Sequence, residues 1–273
     1  MPYVRTRLGR WFYEERGAAK RPGDPAIVLW HSLLFDGGMW KPQVEPLAAL
    51  GRVVVFDGPG HGKSEVPPPF SLEDNTDAIP DAFAELGIDR AVFAGLSWGG
   101  MLGMRLALKH PSRVRALALL DTSAEAEDRA RMVKYRLFVS FGRRFGFPKG
   151  LAESQLAPIY FSEGTRRRDP ELVERFIRTA NGYPRDGLAR ASLAVVVQRK
   201  NVLPRLGAIR VPTLVLCGRE DRATEPVHSE RIASAIPGAK LVVIEGSGHI
   251  STLEQPAAVN DALVPFVAAQ VGS

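Results

Sequence analysis

Acyl chemistry needs a nucleophile, a base and an orienting acid, and this chain holds one candidate set. Ser97 lies in Gly95-Leu96-Ser97-Trp98-Gly99, between glycines that would let a chain turn sharply around it. A serine hydroxyl is a weak nucleophile unless a base removes its proton during attack, so an imidazole must reach it. His249, in the glycine-rich stretch Glu245-Gly246-Ser247-Gly248-His249, follows an apolar run and is free to move toward a sheet edge. His31, His61, His110 and His228 read instead as turn, cap or surface residues. The second imidazole nitrogen needs a carboxylate to hold the tautomer. Asp221, in Cys217-Gly218-Arg219-Glu220-Asp221, is favoured; adjacent Glu220 would point elsewhere, and Asp121, at the end of another apolar run, is the competitor.

A tetrahedral oxyanion also requires two backbone N–H donors. Trp98 N–H, next to the nucleophile, is one candidate. Leu33 N–H, in His31-Ser32-Leu33 after the run Ala26 to Trp30, is the other. Phe35, Trp98, Phe138, Phe141 and Ile250 are the candidates to line a substrate cleft, although aromatic residues at helical spacing more often build a core.

Such residues must be brought to one place by regular elements. Ala26 to Trp30, Val53 to Phe56, Ala91 to Ala94, Ala116 to Leu120, Thr213 to Cys217 and Lys240 to Ile244 are short apolar runs, as expected of parallel strands covered on both faces. Ser71 to Leu86, Gly99 to His110, Pro226 to Ile236 and Pro256 to Ala269 repeat apolar residues every three or four positions and read as helices. Val4 to Glu14 reads as an antiparallel hairpin at the sheet edge. The alternation predicts an α/β fold with a mostly parallel central sheet flanked by helices. The nucleophile then sits in a strand–turn–helix context, which raises the motif above a chance match.

The alternation stops after Asp121 and resumes near Val211. Between them Glu125 to Phe145, Leu151 to Tyr160, Pro170 to Asn181 and Asp186 to Val197 are all helical in pattern. The expected organisation is a core of residues 1–123 and 206–273 with a helical insertion, 124–205, lying as a cap over the carboxyl ends of the strands. The insertion carries 17 Lys+Arg against 9 Asp+Glu, while the whole chain is +6. That excess reads as a solvated Arg-rich surface or as steering for an anionic substrate. No nucleic-acid-binding motif accompanies it.

The 273 residues, 45% hydrophobic and 24% charged, are those of an ordinary globular protein. The single cysteine, Cys217, has no disulfide partner and reads as buried strand packing. No signal-type apolar stretch and no membrane span is evident, so a cytoplasmic protein with no membrane partner is expected. No metal or organic cofactor is implied.

With these residues in place the chain resembles the α/β-hydrolase superfamily over almost its whole length. His31-Ser32-Leu33, Asp57-Gly-Pro-Gly-His-Gly-Lys-Ser64, Gly95-Leu-Ser-Trp-Gly-Gly100, Gly218-Arg-Glu-Asp221 and Gly248-His249 fall in family order. Within it the chain is similar to the 3-oxoadipate enol-lactonase group and related small-molecule carboxylesterases, through Ser32-Leu33 with Met39-Trp40 and through Leu120-Asp-Thr-Ser-Ala124. It departs from that group at Ser32, Leu34 and Gln198-Arg-Lys-Asn201. The resemblance implies a serine hydrolase acting on a small ester or lactone through an acyl-enzyme. A C–C bond hydrolase or perhydrolase with the same triad, and a ligand receptor built on the same fold, remain as alternatives.

Overall fold

The structure is a computed structural model that describes residues 2–272. Among the described residues eight strands form one sheet: β1 (Tyr3–Thr6), β2 (Gly9–Arg16), β3 (Ala26–Trp30), β4 (Val53–Phe56), β5 (Ala91–Leu96), β6 (Val114–Leu120), β7 (Thr213–Gly218) and β8 (Lys240–Ile244). Their order is β1-β2-β4-β3-β5-β6-β7-β8. The first two strands are the expected hairpin, and β2 pairs antiparallel with β4. All other neighbours are parallel. Strands β3, β4, β5 and β7 are buried at every position, which is why they read as unbroken apolar runs. Edge strand β8 is only partly covered.

Helices α1 (Lys41–Ala48), α2 (Leu72–Glu85) and α3 (Trp98–Lys109) connect the first half of the sheet. The start of α2 is fixed by a capping box: Ser71 Oγ accepts from Asp74 N–H while the Asp74 carboxylate accepts from Ser71 N–H. After β6 come α4 (Arg129–Phe145), α5 (Lys149–Leu151), α6 (Ala157–Tyr160), α7 (Glu163–Arg168), α8 (Pro170–Gly182) and α9 (Arg185–Ser192); α10 (Pro226–Ala235), α11 (Ser251–Glu254) and α12 (Pro256–Val271) close the chain. Helix α1 packs on α12 and α2 on α3, giving two helical layers against the sheet.

The positions where sequence and structure differ are mostly in the helical stretch between β6 and β7. The helix expected from Glu125 begins at Arg129, because the Asp128 side chain accepts from Arg131 N–H and caps it there. Two helical runs widen into π turns, Ala152–Leu156 and Leu193–Val197, and a helical period of 3.6 does not anticipate them. Short helices α1, α7 and α11 carried too little apolar repeat to be seen. No helix among the described residues is long and apolar enough to cross a membrane.

Register decides where chemistry can happen. Trp30 pairs with Gly95, Leu96 with Leu120, and Leu120 with Leu216, so the strands end nearly level. From β3 the chain runs first to β4 on one side and then to β5 on the other, which opens a crevice at the carboxyl ends of β3 and β5. The loop of Leu33 and the turn of Ser97 flank that crevice.

Candidate active site

Ser97 is held in a backbone conformation that side chains rarely adopt, φ 54 and ψ −107, at the junction of β5 and α3. Such strain persists only where the surroundings over-determine it. They do so here through space and hydrogen bonds. A Cβ on Gly95 would lie 2.1 Å from the Gly99 carbonyl carbon, and one on Gly99 would lie 2.4 Å from Trp30 O, so both motif glycines are required by close approach. Ser97 N–H donates to Leu120 O at 2.8 Å, and Ser97 O accepts from Met101 N–H and from Thr122 Oγ1. The turn is thereby tied to β6 and to the first turn of α3.

His249 lies after β8, and its Nδ1–H donates to Asp221 Oδ2 at 2.9 Å with both side chains buried. That bond leaves Nε2 as the nitrogen available to the cavity. The other Asp221 oxygen accepts from the N–H groups of Ala223 and Thr224, and Thr224 Oγ1 donates to Oδ2 at 2.9 Å. Burial lowers the His249 pKa, and the charge and hydrogen bond of Asp221, with Asp121 and Glu254 behind, outweigh it, so the value is raised above the ordinary histidine range. Glu254 anchors this loop, accepting from Gly248 N–H, Ile250 N–H and Ser162 N–H.

Asp121 stands one step further back. Its Oδ1 accepts from Gly218 N–H at 2.7 Å and its Oδ2 from Ser251 Oγ at 2.5 Å, so it joins the ends of β6 and β7 to the loop of His249. The bond to His249 goes to Asp221. Burial, and then the charge of Asp221, push the Asp121 carboxyl well above the usual carboxylate range.

The crevice loop after β3 spends most of its N–H groups internally. Ser32 N–H points at Met39 Sδ, Leu34 N–H donates to His61 Nε2 at 3.3 Å, and Phe35 N–H donates to Ser32 O. Among the described residues Leu33 N–H, between Ser32 and Leu34, has no such internal acceptor. The two histidines serve as props. His31 Nδ1–H donates to Ser32 O and its Nε2 accepts from Gly58 N–H at 2.7 Å, which requires a neutral ring. Burial lowers the pKa of both His31 and His61 and keeps them neutral. Leu34 itself has φ 66, a conformation sustained by the His61 contact.

Ser97 and His249 both line a cavity of about 200 Å³, walled mainly by apolar groups that include Leu34, Met101, Phe138, Leu156, Ile159 and Val195. Both π turns contribute to this wall. The Arg199 guanidinium reaches it too, but it is held by Glu127 at 3.1 Å and by the carbonyl of Glu125, so it is wall structure.

A family model of the α/β-hydrolase fold matches residues 25–256. The chain belongs to the α/β-hydrolase family. It is 30% identical to 3-oxoadipate enol-lactonase 1 of Acinetobacter baylyi, over 85% of this chain and 84% of that one. Among solved structures, the enol-lactonase of Burkholderia xenovorans aligns at 31% identity and TM-score 0.88, covering 97% of this chain and 99% of the other. A thermophilic esterase of Thermogutta terrifontis, solved with malate bound, aligns at 30% identity and TM-score 0.89, covering 98% of each.

Against this α/β-hydrolase frame the expected cleft residues divide. Phe138 lines the cavity, stacked on Phe147 at 5.7 Å. The other four expected cleft residues are placed elsewhere. Phe35 stacks on Phe176 at 4.9 Å, behind Tyr160, which takes the lining position. The Trp98 ring is fully buried against Trp30, His31 and His61. Ile250 is buried beside His249, and Phe141 points outward, where it meets Phe145. Cys217 is buried packing, its thiol pushed up to about 12 by burial. Sequence reasoning missed Tyr160, whose carbonyl accepts from His249 N–H and whose ring meets the imidazole edge-on at 5.5 Å. It also missed Thr224 and Glu254; no spacing rule singles them out, since each acts through a loop.

Proposed function

We propose that this chain is a serine hydrolase that cleaves a small carboxylic ester or lactone, with Ser97 as nucleophile, His249 as base and Asp221 as its orienting acid. The observation that carries the reading is the strained Ser97 sharing one apolar cavity with an imidazole that is hydrogen-bonded to a buried carboxylate. In the first step Ser97 Oγ attacks the carbonyl carbon while His249 Nε2 takes its proton. The oxygen becomes an oxyanion that accepts from Leu33 N–H and Trp98 N–H, the latter at the start of α3 where helical N–H groups lack an intrahelical partner. His249 then gives its proton to the leaving oxygen, so the C–O bond breaks and an acyl-serine remains. In a lactone that leaving oxygen stays attached to the acyl chain. Water, deprotonated by the same imidazole, cleaves the acyl-serine and returns the serine. This route uses no cofactor.

The relatives support the ester or lactone class, since the aligned proteins are enol-lactonases and an esterase. A cavity of about 200 Å³ favours a short acyl group. Residues 124–205 act in this reading as the cap that closes over it. The experiment compares p-nitrophenyl acetate and butyrate hydrolysis by wild type and Ser97→Ala, with a fluorophosphonate probe located by mass spectrometry. Labelling at Ser97 and a fall of roughly 10⁴-fold or more in kcat are expected. Failure of the wild type both to turn over and to label would sink the assignment.

A further inference from the structure

Helix α4 has two faces, and the proposed reaction uses only one of them. Tyr135, Phe138, Val139 and Gly142 line the cavity. On the outside, Val133, Leu137, Phe141 and Phe145 recur every four residues and form one continuous ridge. They are 60%, 69%, 39% and 57% exposed, and they are four of the five exposed large apolar side chains among the described residues. Such contiguous exposure marks a surface that meets something.

Charge restricts what that can be. From Arg129 to Phe145 the helix holds six basic residues and no acidic one. Arg131 pairs with Asp128, and Arg143 with Asp186. Among the described residues Arg129, Lys134, Arg136 and Arg144 have no carboxylate partner, and the Arg144 guanidinium lies over the Phe145 ring at 5.4 Å. A second copy would have to set the same basic helix against itself, since a two-fold interface repeats one patch on both sides. An anionic bilayer satisfies both features at once: the ridge enters the acyl boundary while the flanking arginines meet headgroups.

We propose that α4 is a peripheral docking helix that lays this protein on anionic membrane surfaces. The absence of a membrane span had suggested no membrane partner, but in-plane binding needs no span. Docking through the ridge brings the cavity wall within about one helix diameter, roughly 10 Å, of the lipid. The binding itself does not depend on the hydrolytic reading.

The test is flotation of the full chain with vesicles of phosphatidylcholine alone or with about 30 mol% phosphatidylglycerol, alongside light scattering to fix the oligomeric state. Wild type is expected to partition at least about tenfold more strongly onto the anionic vesicles, and less as salt rises. Leu137→Glu with Phe145→Glu, and separately Arg129→Glu with Arg136→Glu, should each abolish that preference. These four side chains lie outside the cavity lining, and circular dichroism confirms that the variants fold. Equal absence of binding to both vesicles overturns the proposal. So does a dimer that Leu137→Glu dissolves, which would make a second copy the occupant.

Discussion

The loops around Ser97 and helix α4 are opposite ways of building the two sides of one cavity. Around Ser97 the backbone and the two carboxylates that fix the site are buried and held more than once: the Ser97 carbonyl accepts two hydrogen bonds, Asp221 accepts four with its two oxygens, and Glu254 fastens three N–H groups. Helix α4 lies against other helical segments between β6 and β7, chiefly α9 and the π turn after it, and leaves most of its length in solvent. The comparison teaches where precision is needed. The proposed acyl transfer would fail if a proton donor were displaced by an ångström, whereas a substrate wall need only be apolar and of the right volume. Effects of mutation should therefore fall steeply from the first region to the second.

The largest effect is expected where one oxygen becomes a donor. In Asp221→Asn the amide can keep one oxygen on Ala223 and Thr224, but its NH₂ must then face His249 Nδ1, and the imidazole turns to the wrong tautomer. A loss of about 10⁴-fold in kcat is expected. Asp121→Asn should cost far less, about tenfold, because the Ser251 hydroxyl that faces Oδ2 can rotate and accept instead. If Asp121→Asn proved the more damaging, the assignment of the two carboxylates would be reversed. The pH profile sharpens the same contrast. In the proposed mechanism His249 must be uncharged to accept the serine proton, and Asp221 would stabilise its charged form. Wild-type kcat/KM should accordingly fall on acidification with a midpoint above the ordinary 6.5, and the midpoint should move down in Asp221→Asn.

A second, smaller effect separates props from reactants. His61 lies outside the set of residues lining the cavity, yet it accepts from Leu34 N–H and so supports the loop that presents Leu33 N–H. His61→Ala should lower kcat by about tenfold to a hundredfold, below the full cost of an oxyanion donor, with KM nearly unchanged. His61→Gln, which can still offer an acceptor, should recover part of the rate. A KM effect without a kcat effect would place His61 in substrate binding instead.

What could be read from the sequence follows the same division. The candidates Ser97, His249 and Asp221 were legible because each follows the carboxyl end of a strand, and strand ends are fixed by apolar runs that one can see. The six core strands were legible for the same reason, but their spatial order was not, since an apolar run does not say which neighbour it pairs with. The π turns at 152–156 and 193–197 were not legible, since one extra residue in a turn leaves no compositional trace. Nor was the direction of Phe141 against Phe138. Both are aromatic residues on an amphipathic helix, and only the packing of Phe138 on Phe147 settles which of them faces inward. Asp121 stood as the competing carboxylate, and the choice between it and Asp221 depends on which loop reaches His249, which spacing alone cannot fix.

The smallest effect belongs to the wall itself. Phe138→Ala removes an aromatic side chain from the cavity and from its stack on Phe147, at a partly buried site. Enlarging an apolar wall relaxes selection between acyl chains, and one methylene is worth only about 1–3 kcal/mol of discrimination. The butyrate-to-acetate ratio of kcat/KM should shift by less than about tenfold toward the longer ester, with the pH profile unmoved. Leu137→Ala, one residue away but outside the cavity, should leave that ratio as it is and change stability by less than about 0.5 kcal/mol, as surface substitutions do. A Phe138 variant with a displaced pH midpoint would break the comparison, because it would mean that the helix wall and the buried loops of His249 are one mechanical unit.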